Sequence, residues 1–227
     1  SADATINGVT VGKGANSVSG NTAIGSGALD DSVTGNDNTA VGRNALTVNT
    51  GGQENTAIGR RTLQQNTTGS NNTALGCSAL KVNTTASYNT ALGFDALGAN
   101  TTGANNTAVG NEALDANTTA SNNTAIGAAA LGANTTGTLN TAVGHLALTA
   151  NTTANRCTAL GRSALAANTT GDDNVAVGYY ALVNSNGSDH TAVGNYALAT
   201  NTTGESNTAI GLYALYDNSG GSYNTAI

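Results

Sequence analysis

The sequence predicts an all-β fold, a parallel β-solenoid or β-roll built from 17-residue coils, and three observations carry that prediction. One phrase, Asn-Thr-Ala-Val-Gly-x-x-Ala-Leu-x-x-Asn-Thr-Thr-Gly, recurs at a fixed spacing of 17 residues through most of the chain. Its aliphatic residues keep the same offsets in every copy, which a disordered tract of similar composition has no reason to do. Each copy also contains Gly, several Asn and several Thr and lacks apolar spacing at i, i+3, i+4 and i+7, so a helix is a poor account of it.

The register locks at Asn21. Units begin at Asn21, Asn38, Asn55, Asn72, Asn89, Asn106, Asn123, Asn140, Cys157, Asn174, His190, Asn207 and Asn224, and only the step from Asn174 to His190 is 16 residues instead of 17. This divides the chain into three segments. Residues 1–20 hold a leading strand and one short repeat, with Val11-Gly12 standing 13 residues before Ile24-Gly25. Residues 21–223 form twelve coils, and residues 224–227 begin a further one.

Each column of the repeat has a physical reading. An aliphatic residue precedes the Gly and a Leu follows it four residues later. Both are expected in the core, as in the ladder Val109, Leu114, Ile126, Leu131, Val143 and Leu148. Ala precedes every one of these aliphatic residues, and precedes every Leu except Leu63, where Thr62 stands. A column restricted to Ala marks tight space in which a larger side chain would overpack. The strand Asn-Thr-Ala-Val-Gly places Thr and Val on one face and Ala on the other, and Ala-Leu is expected to open a second extended run. The two residues after the Gly vary freely, from Arg43-Asn44 to Tyr179-Tyr180, and read as a solvent-facing bend. Asn-Thr-Thr followed by Gly or Ala reads as a turn with side-chain-to-backbone hydrogen bonds. Stacking such coils about 4.8 Å apart turns every column into a ladder.

Composition narrows the function. The 227 residues include 30 Gly and no Pro, Met or Trp, only 9% are charged, and the net charge is −6. With no basic run there is nothing to replace phosphate counterions, so nucleic acid is not an expected partner. No apolar stretch is long enough to span a bilayer, so no membrane insertion is expected. The chain starts at Ser1, not Met, and shows no signal peptide, which is read as a mature or excised piece of a longer chain.

The search for chemistry returns little, and no catalytic, cofactor-binding or metal-ligating residue is assigned. Gly8-Val-Thr-Val-Gly12-Lys13-Gly14 is one residue short of a phosphate loop and has Gly14 where a hydroxyl would bind magnesium, so it reads as an edge strand and turn. His145 and His190 stand at different phases of the repeat without partners and read as exposed substitutions. Asp30-Asp31, Glu54 and Asp172-Asp173 read as solvated charge in bends. Cys77 and Cys157 fall five coils apart, roughly 24 Å, beyond disulfide reach, and are expected as free buried thiols, with Cys157 a candidate to face a symmetry mate. Asn-Thr-Thr spells a glycosylation acceptor at Asn66, Asn83, Asn100, Asn117, Asn134, Asn151, Asn168 and Asn201, read instead as structural turns. Tyr180, Tyr196 and Tyr213 occupy one column in successive coils, flanked by Tyr179, Tyr216 and Tyr223. They form a ligand or interface ladder that either stacks on a sugar ring or packs coil against coil.

The core available to one chain is thin against the entropy of ordering 17 residues per coil, which predicts lateral self-association. Val11-Gly-Lys-Gly-Ala15-Asn-Ser-Val18 followed by Asn21-Thr-Ala-Ile-Gly-Ser-Gly-Ala28 resembles the head repeat of YadA-type trimeric autotransporter adhesins. The longer unit also resembles repeats in bacteriophage tail fibres. The resemblance covers nearly the whole chain. It implies a parallel, side-by-side homotrimer of left-handed β-rolls outside the cell, although the period of 17 departs from the adhesins' period of about 14 and no coiled-coil stalk or anchor is present. The expected function is therefore non-enzymatic: the rigid shaft or head of a fibre on a cell or virion surface, partnered by itself. The last unit stops at Ile227 without a polar cap, an open coil end that invites head-to-tail contact with another copy. The alternative is a surface-recognition module that binds a host glycan or ice through a Tyr or Thr ladder.

Overall fold

A computed structural model describes residues 3–6, 9–31 and 33–227. The chain is an all-β parallel solenoid of about twelve 17-residue coils, with no α-helix among the described residues. It divides into two compact units, Ser1–Glu112 and Ala113–Ile227.

The first unit carries β1 (Ala4–Ile6), β2 (Val9–Gly12), β3 (Thr22–Ile24), β4 (Thr39–Val41), β5 (Thr56–Ile58), β6 (Thr73–Leu75), β7 (Thr90–Leu92) and β8 (Thr107–Val109). From β3 to β8 the pairing is parallel and in strict register, for example Thr39↔Thr56, Ala40↔Ala57 and Val41↔Ile58. The leading segment differs from the expected short repeat. β2 pairs antiparallel with both β1 and β3, so it is an internal strand of a hairpin laid over the first coil and not an edge. Asp3 fastens this hairpin by accepting the backbone N–H groups of Lys13 and Gly14 at 2.8 and 2.9 Å. Gly8, the first residue of the phosphate-loop look-alike, lies outside the described residues.

The second unit carries β9 (Thr124–Ile126), β10 (Thr141–Val143), β11 (Thr158–Leu160), β12 (Val175–Val177), β13 (Thr191–Val193), β14 (Thr208–Ile210) and β15 (Thr225–Ala226), all parallel. The 16-residue coil does not disturb the register, since Ala176 still pairs Ala192 and Val177 still pairs Val193. The missing residue is therefore absorbed in the turn and not in the strand.

Among the described residues each coil contains one short strand, not two. The segment expected to be a second extended run is a turn in which Leu adopts the left-handed conformation, with φ from 48° at Leu29 to 52° at Leu97, Leu114, Leu148 and Leu165. This region costs a branched L-residue roughly 1–2 kcal/mol. The turn keeps its backbone paired: Leu46, Leu63 and Leu131 donate their N–H to the carbonyls of Thr62, Ala79 and Ala147 one coil on, at 3.0, 3.1 and 3.0 Å. The strand ends at a Gly that no other residue could replace without a backbone shift. Gly59 has φ 137°, and a Cβ built there would lie 2.5 Å from the Gly76 carbonyl oxygen.

The interior is narrower than the sequence pattern predicts. Ala40, Ala57, Ala108, Ala125 and Ala142 of the strands are fully buried, as are Leu114, Leu131 and Leu148 of the turns. Val109, Ile126 and Val143, read above as core, lie on the opposite face of the strand and point outward: Ile126 is 40% exposed, and Val109 and Val143 are half-buried. The strand alternates with period two as the pattern predicts, but the inward face is the Ala face, because only Ala fits between the strand and the Leu turn.

The remaining interior is polar. Every Asn that opens a coil from Asn21 to Asn207 is buried, and its side chain is used. The Asn38 Oδ1 accepts the Asn55 backbone N–H and Nδ2–H at 3.0 and 3.1 Å, while the Asn55 Nδ2 also donates to the Gly69 carbonyl at 2.9 Å. The Asn of Asn-Thr-Thr forms a second ladder in which the Asn66 Nδ2 donates to the Asn49 Oδ1 at 2.8 Å and to Gly69 at 2.9 Å. Buried amides survive in a core only when paired in this way.

Candidate functional site: the outer sheet face and the tyrosine column

The strand pattern builds a surface directly. Because Ala faces inward, Thr and the aliphatic residue of each strand share the outer face of a parallel sheet. In the first unit the aliphatic column is Ile24, Val41, Ile58, Leu75, Leu92 and Val109; in the second it is Ile126, Val143, Leu160, Val177, Val193 and Ile210. Its members reach 44% exposure at Leu75 and 47% at Leu160. Beside it stand Thr22, Thr39, Thr56, Thr73, Thr90 and Thr107, then Thr124, Thr141, Thr158, Val175, Thr191 and Thr208. Neither column contains a charged residue. The alternation of Thr-Ala-Val is the sequence signal for this face, but it does not say which of the two faces is inward.

The tyrosine column forms as the spacing predicts. Tyr180 and Tyr196 stack with centroids 5.6 Å apart and planes 18° apart, and Tyr196 and Tyr213 stack at 5.2 Å and 8°. Tyr179 and Tyr216 meet the stack edge-on. The Arg162 guanidinium lies over the rings of Tyr179 and Tyr180, 5.7 and 5.8 Å from their centroids. The faces of Tyr196 are thus taken by its own neighbours, and a sugar ring, which stacks on a face, finds none there.

The other candidates resolve individually. His145 is exposed, but His190 is 1% exposed and occupies the coil-opening Asn column, contrary to the expectation of an exposed substitution. Cys157 occupies the same column. It is fully buried, donating Sγ–H to the Gly171 carbonyl at 3.2 Å, so it faces the interior and not a symmetry mate. Desolvation pushes its thiol up to about 11. Cys77 is only half-buried, which corrects its expected burial. The Ser78 hydroxyl first, and then Arg60, whose Nη2 lies 3.4 Å from Sγ, hold its thiol below the ordinary range. All eight glycosylation-like Asn are fully buried. The first threonine of the turn is also committed, as where the Thr67 Oγ1 donates to the Thr84 carbonyl at 2.9 Å. Among the described residues no group of three His, Cys, Asp or Glu side chains could hold a metal ion.

No protein family, curated protein or solved structure matches the chain.

Proposed function

We propose that the protein is a non-enzymatic structural element, the shaft or head of an extracellular or virion fibre, in which copies lie side by side as a homotrimer along their outer sheet faces. The observation that supports this reading is the charge-free Thr and aliphatic face, which repeats at every coil. Such a face is self-complementary, because an aliphatic ladder on one copy meets the same ladder on the next without desolvating a charge. The resemblance to trimeric adhesin heads and tail fibres supports the same arrangement. Stiffness then comes from the coil-to-coil hydrogen bonds, and length from repetition.

Sedimentation equilibrium at micromolar concentration tests the proposal. Three chains per particle are expected, and Ile126→Asp combined with Leu160→Asp should return the particle to a folded monomer. A folded wild-type monomer would overturn it. The tyrosine column belongs to coil-on-coil packing in this reading. Replacing Tyr180, Tyr196 and Tyr213 by Ser should lower the melting temperature and leave glycan-array binding unchanged.

A further inference from the structure

One coil of the second unit breaks the pattern in several ways at once. The coil that opens at Asn174 is a residue short, with Ser185-Asn186-Gly187 where its predecessor has Asn168-Thr169-Thr170-Gly171. His190 takes the place of the next coil-opening Asn. Its backbone N–H donates to the Asn174 Oδ1 at 3.0 Å, and its Nδ1 accepts the Asn207 N–H at 3.2 Å. Ser185, fully buried, takes the place of the second-ladder Asn, and its Oγ reaches the Asn201 Oδ1 only at 3.5 Å. The His190 Nε2 and the Asn201 Nδ2 are buried without a hydrogen-bond partner of ordinary geometry. Both polar ladders are therefore interrupted at the same place.

We propose that this place is an acid-opened seam: a proton on the His190 Nδ1 breaks the ladder between the coils opened by His190 and Asn207 and lets them separate locally. An Asn oxygen accepts a hydrogen bond at any pH, whereas an imidazole nitrogen accepts one only while it carries no proton. Protonation would leave two donors, the Asn207 N–H and the His190 Nδ1–H, facing each other in a buried site.

The surroundings do not supply a counter-charge in contact. Asp189 precedes the ring in the chain and Glu205 lies near the end of the coil that His190 opens, but neither hydrogen-bonds to it. Asp172 and Asp173, which end the coil opened by Cys157, lie 3.7 and 2.6 Å from the Arg156 guanidinium. Burial is the dominant influence and holds the imidazole below its ordinary range, against opposing effects from the Gly204 backbone, Asp189, the Asn207 backbone and Glu205. A base depressed in the folded state stabilises fully above its unfolded value, about 6.5, and loses that contribution as pH falls through the folded value.

Hydrogen exchange of the β13 and β14 amides, corrected for intrinsic rates and compared at about pH 7.5 and about pH 5, reads the seam. In the wild type their opening should increase at the lower pH, by up to roughly 30-fold, the limit that an open-state value of about 6.5 sets at pH 5. His190→Asn should abolish the increase and His145→Asn should leave it intact. An unchanged wild type, or a pH response that persists in His190→Asn, would overturn the proposal. An NMR titration of the His190 ring in His145→Asn decides the matter independently of whether His190→Asn folds: a ring that titrates at or above the ordinary value also overturns it.

Discussion

The side-chain amides of Asn55 and Asn66 donate to one oxygen, the carbonyl of Gly69, each at 2.9 Å. The first Asn opens the coil and the second starts its closing turn, so this shared acceptor pins the turn back to the beginning of the coil. The same convergence recurs where Asn123 and Asn134 meet at Gly137, at 2.9 and 3.0 Å. In the coils that keep both asparagines, two amides and one carbonyl supplement the thin Ala and Leu core.

Asn66→Ala removes a donor to Gly69 and leaves the Asn49 Oδ1 and the Asn83 Nδ2 each short of a partner. Buried polar groups left unpaired cost about 1–3 kcal/mol each, so a loss of about 2–4 kcal/mol is expected in chemical denaturation. Thr68→Ala, at an exposed position two residues on, should stay within about 0.5 kcal/mol. Equal losses in the two variants would remove the ladder from the account of stability.

The two aliphatic columns should separate by phenotype. Leu131 is fully buried, and truncation to Ala should cost about 2–5 kcal/mol. Ile126, 40% exposed, should tolerate Ser with little loss in a monomeric background and should instead weaken association. Denaturation followed at several protein concentrations distinguishes these effects, because only the second depends on concentration.

Much of this was legible in the sequence, for a physical reason: a 17-residue period with fixed Leu, Ala and Gly columns admits little besides a stacked coil. What misled was the assignment of faces. Thr-Ala-Val alternates with period two, and period alone does not say which face is inside. Size and hydrophobicity favour the large aliphatic residues for the core, while the close approach of strand and Leu turn leaves room for Ala57 and none for Ile58. The left-handed Leu escaped detection because nothing in an Ala-Leu pair announces φ near +50°. The sequence marks the Asn of Asn-Thr-Thr as a turn former and the coil-opening Asn as the start of a strand, and the Oδ1-to-N–H ladder of the latter is visible only once coils stack. The burial of His190 follows from that ladder, since its phase is that of the coil-opening Asn.

The two thiols should differ in reactivity. Cys77, half-buried and held low by Ser78 and Arg60, should alkylate readily near pH 8 in the folded protein. Cys157, pushed up to about 11, should react only after unfolding. Thiol titration should therefore count one group per native chain and two per denatured chain. Because the Cys157 value is raised, its stabilising contribution is full below the ordinary thiol range and is lost as pH climbs toward the folded value. Cys157→Asn, which restores the ladder, should remove that alkaline sensitivity.

The glycosylation-like sites should stay bare in folded protein. Asn134 uses its Nδ2, the atom a glycan would occupy, to donate to the Asn117 Oδ1 and the Gly137 carbonyl, both at 3.0 Å. Secreted from a host that modifies such sites, the folded fraction should show the unmodified intact mass. Glycan on Asn134 in protein that keeps its native circular dichroism would contradict the buried ladder.

Left-handed residues outside the core offer a test of the strain in the coil. Leu139 has φ 62°, is 54% exposed and packs little of its side chain. Its conformation costs a branched residue more than it costs glycine, while glycine adds entropy to the unfolded chain, so the two effects oppose each other. With little packing to lose, Leu139→Gly should gain about 0.5–1 kcal/mol in thermal unfolding. Leu131→Gly, at φ 51° but fully buried, should instead lose stability, because the cavity outweighs the relief of strain. If both variants destabilise to the same degree, the left-handed turn is no burden to the chain, and its repetition in every coil requires no compensation from the asparagine ladders.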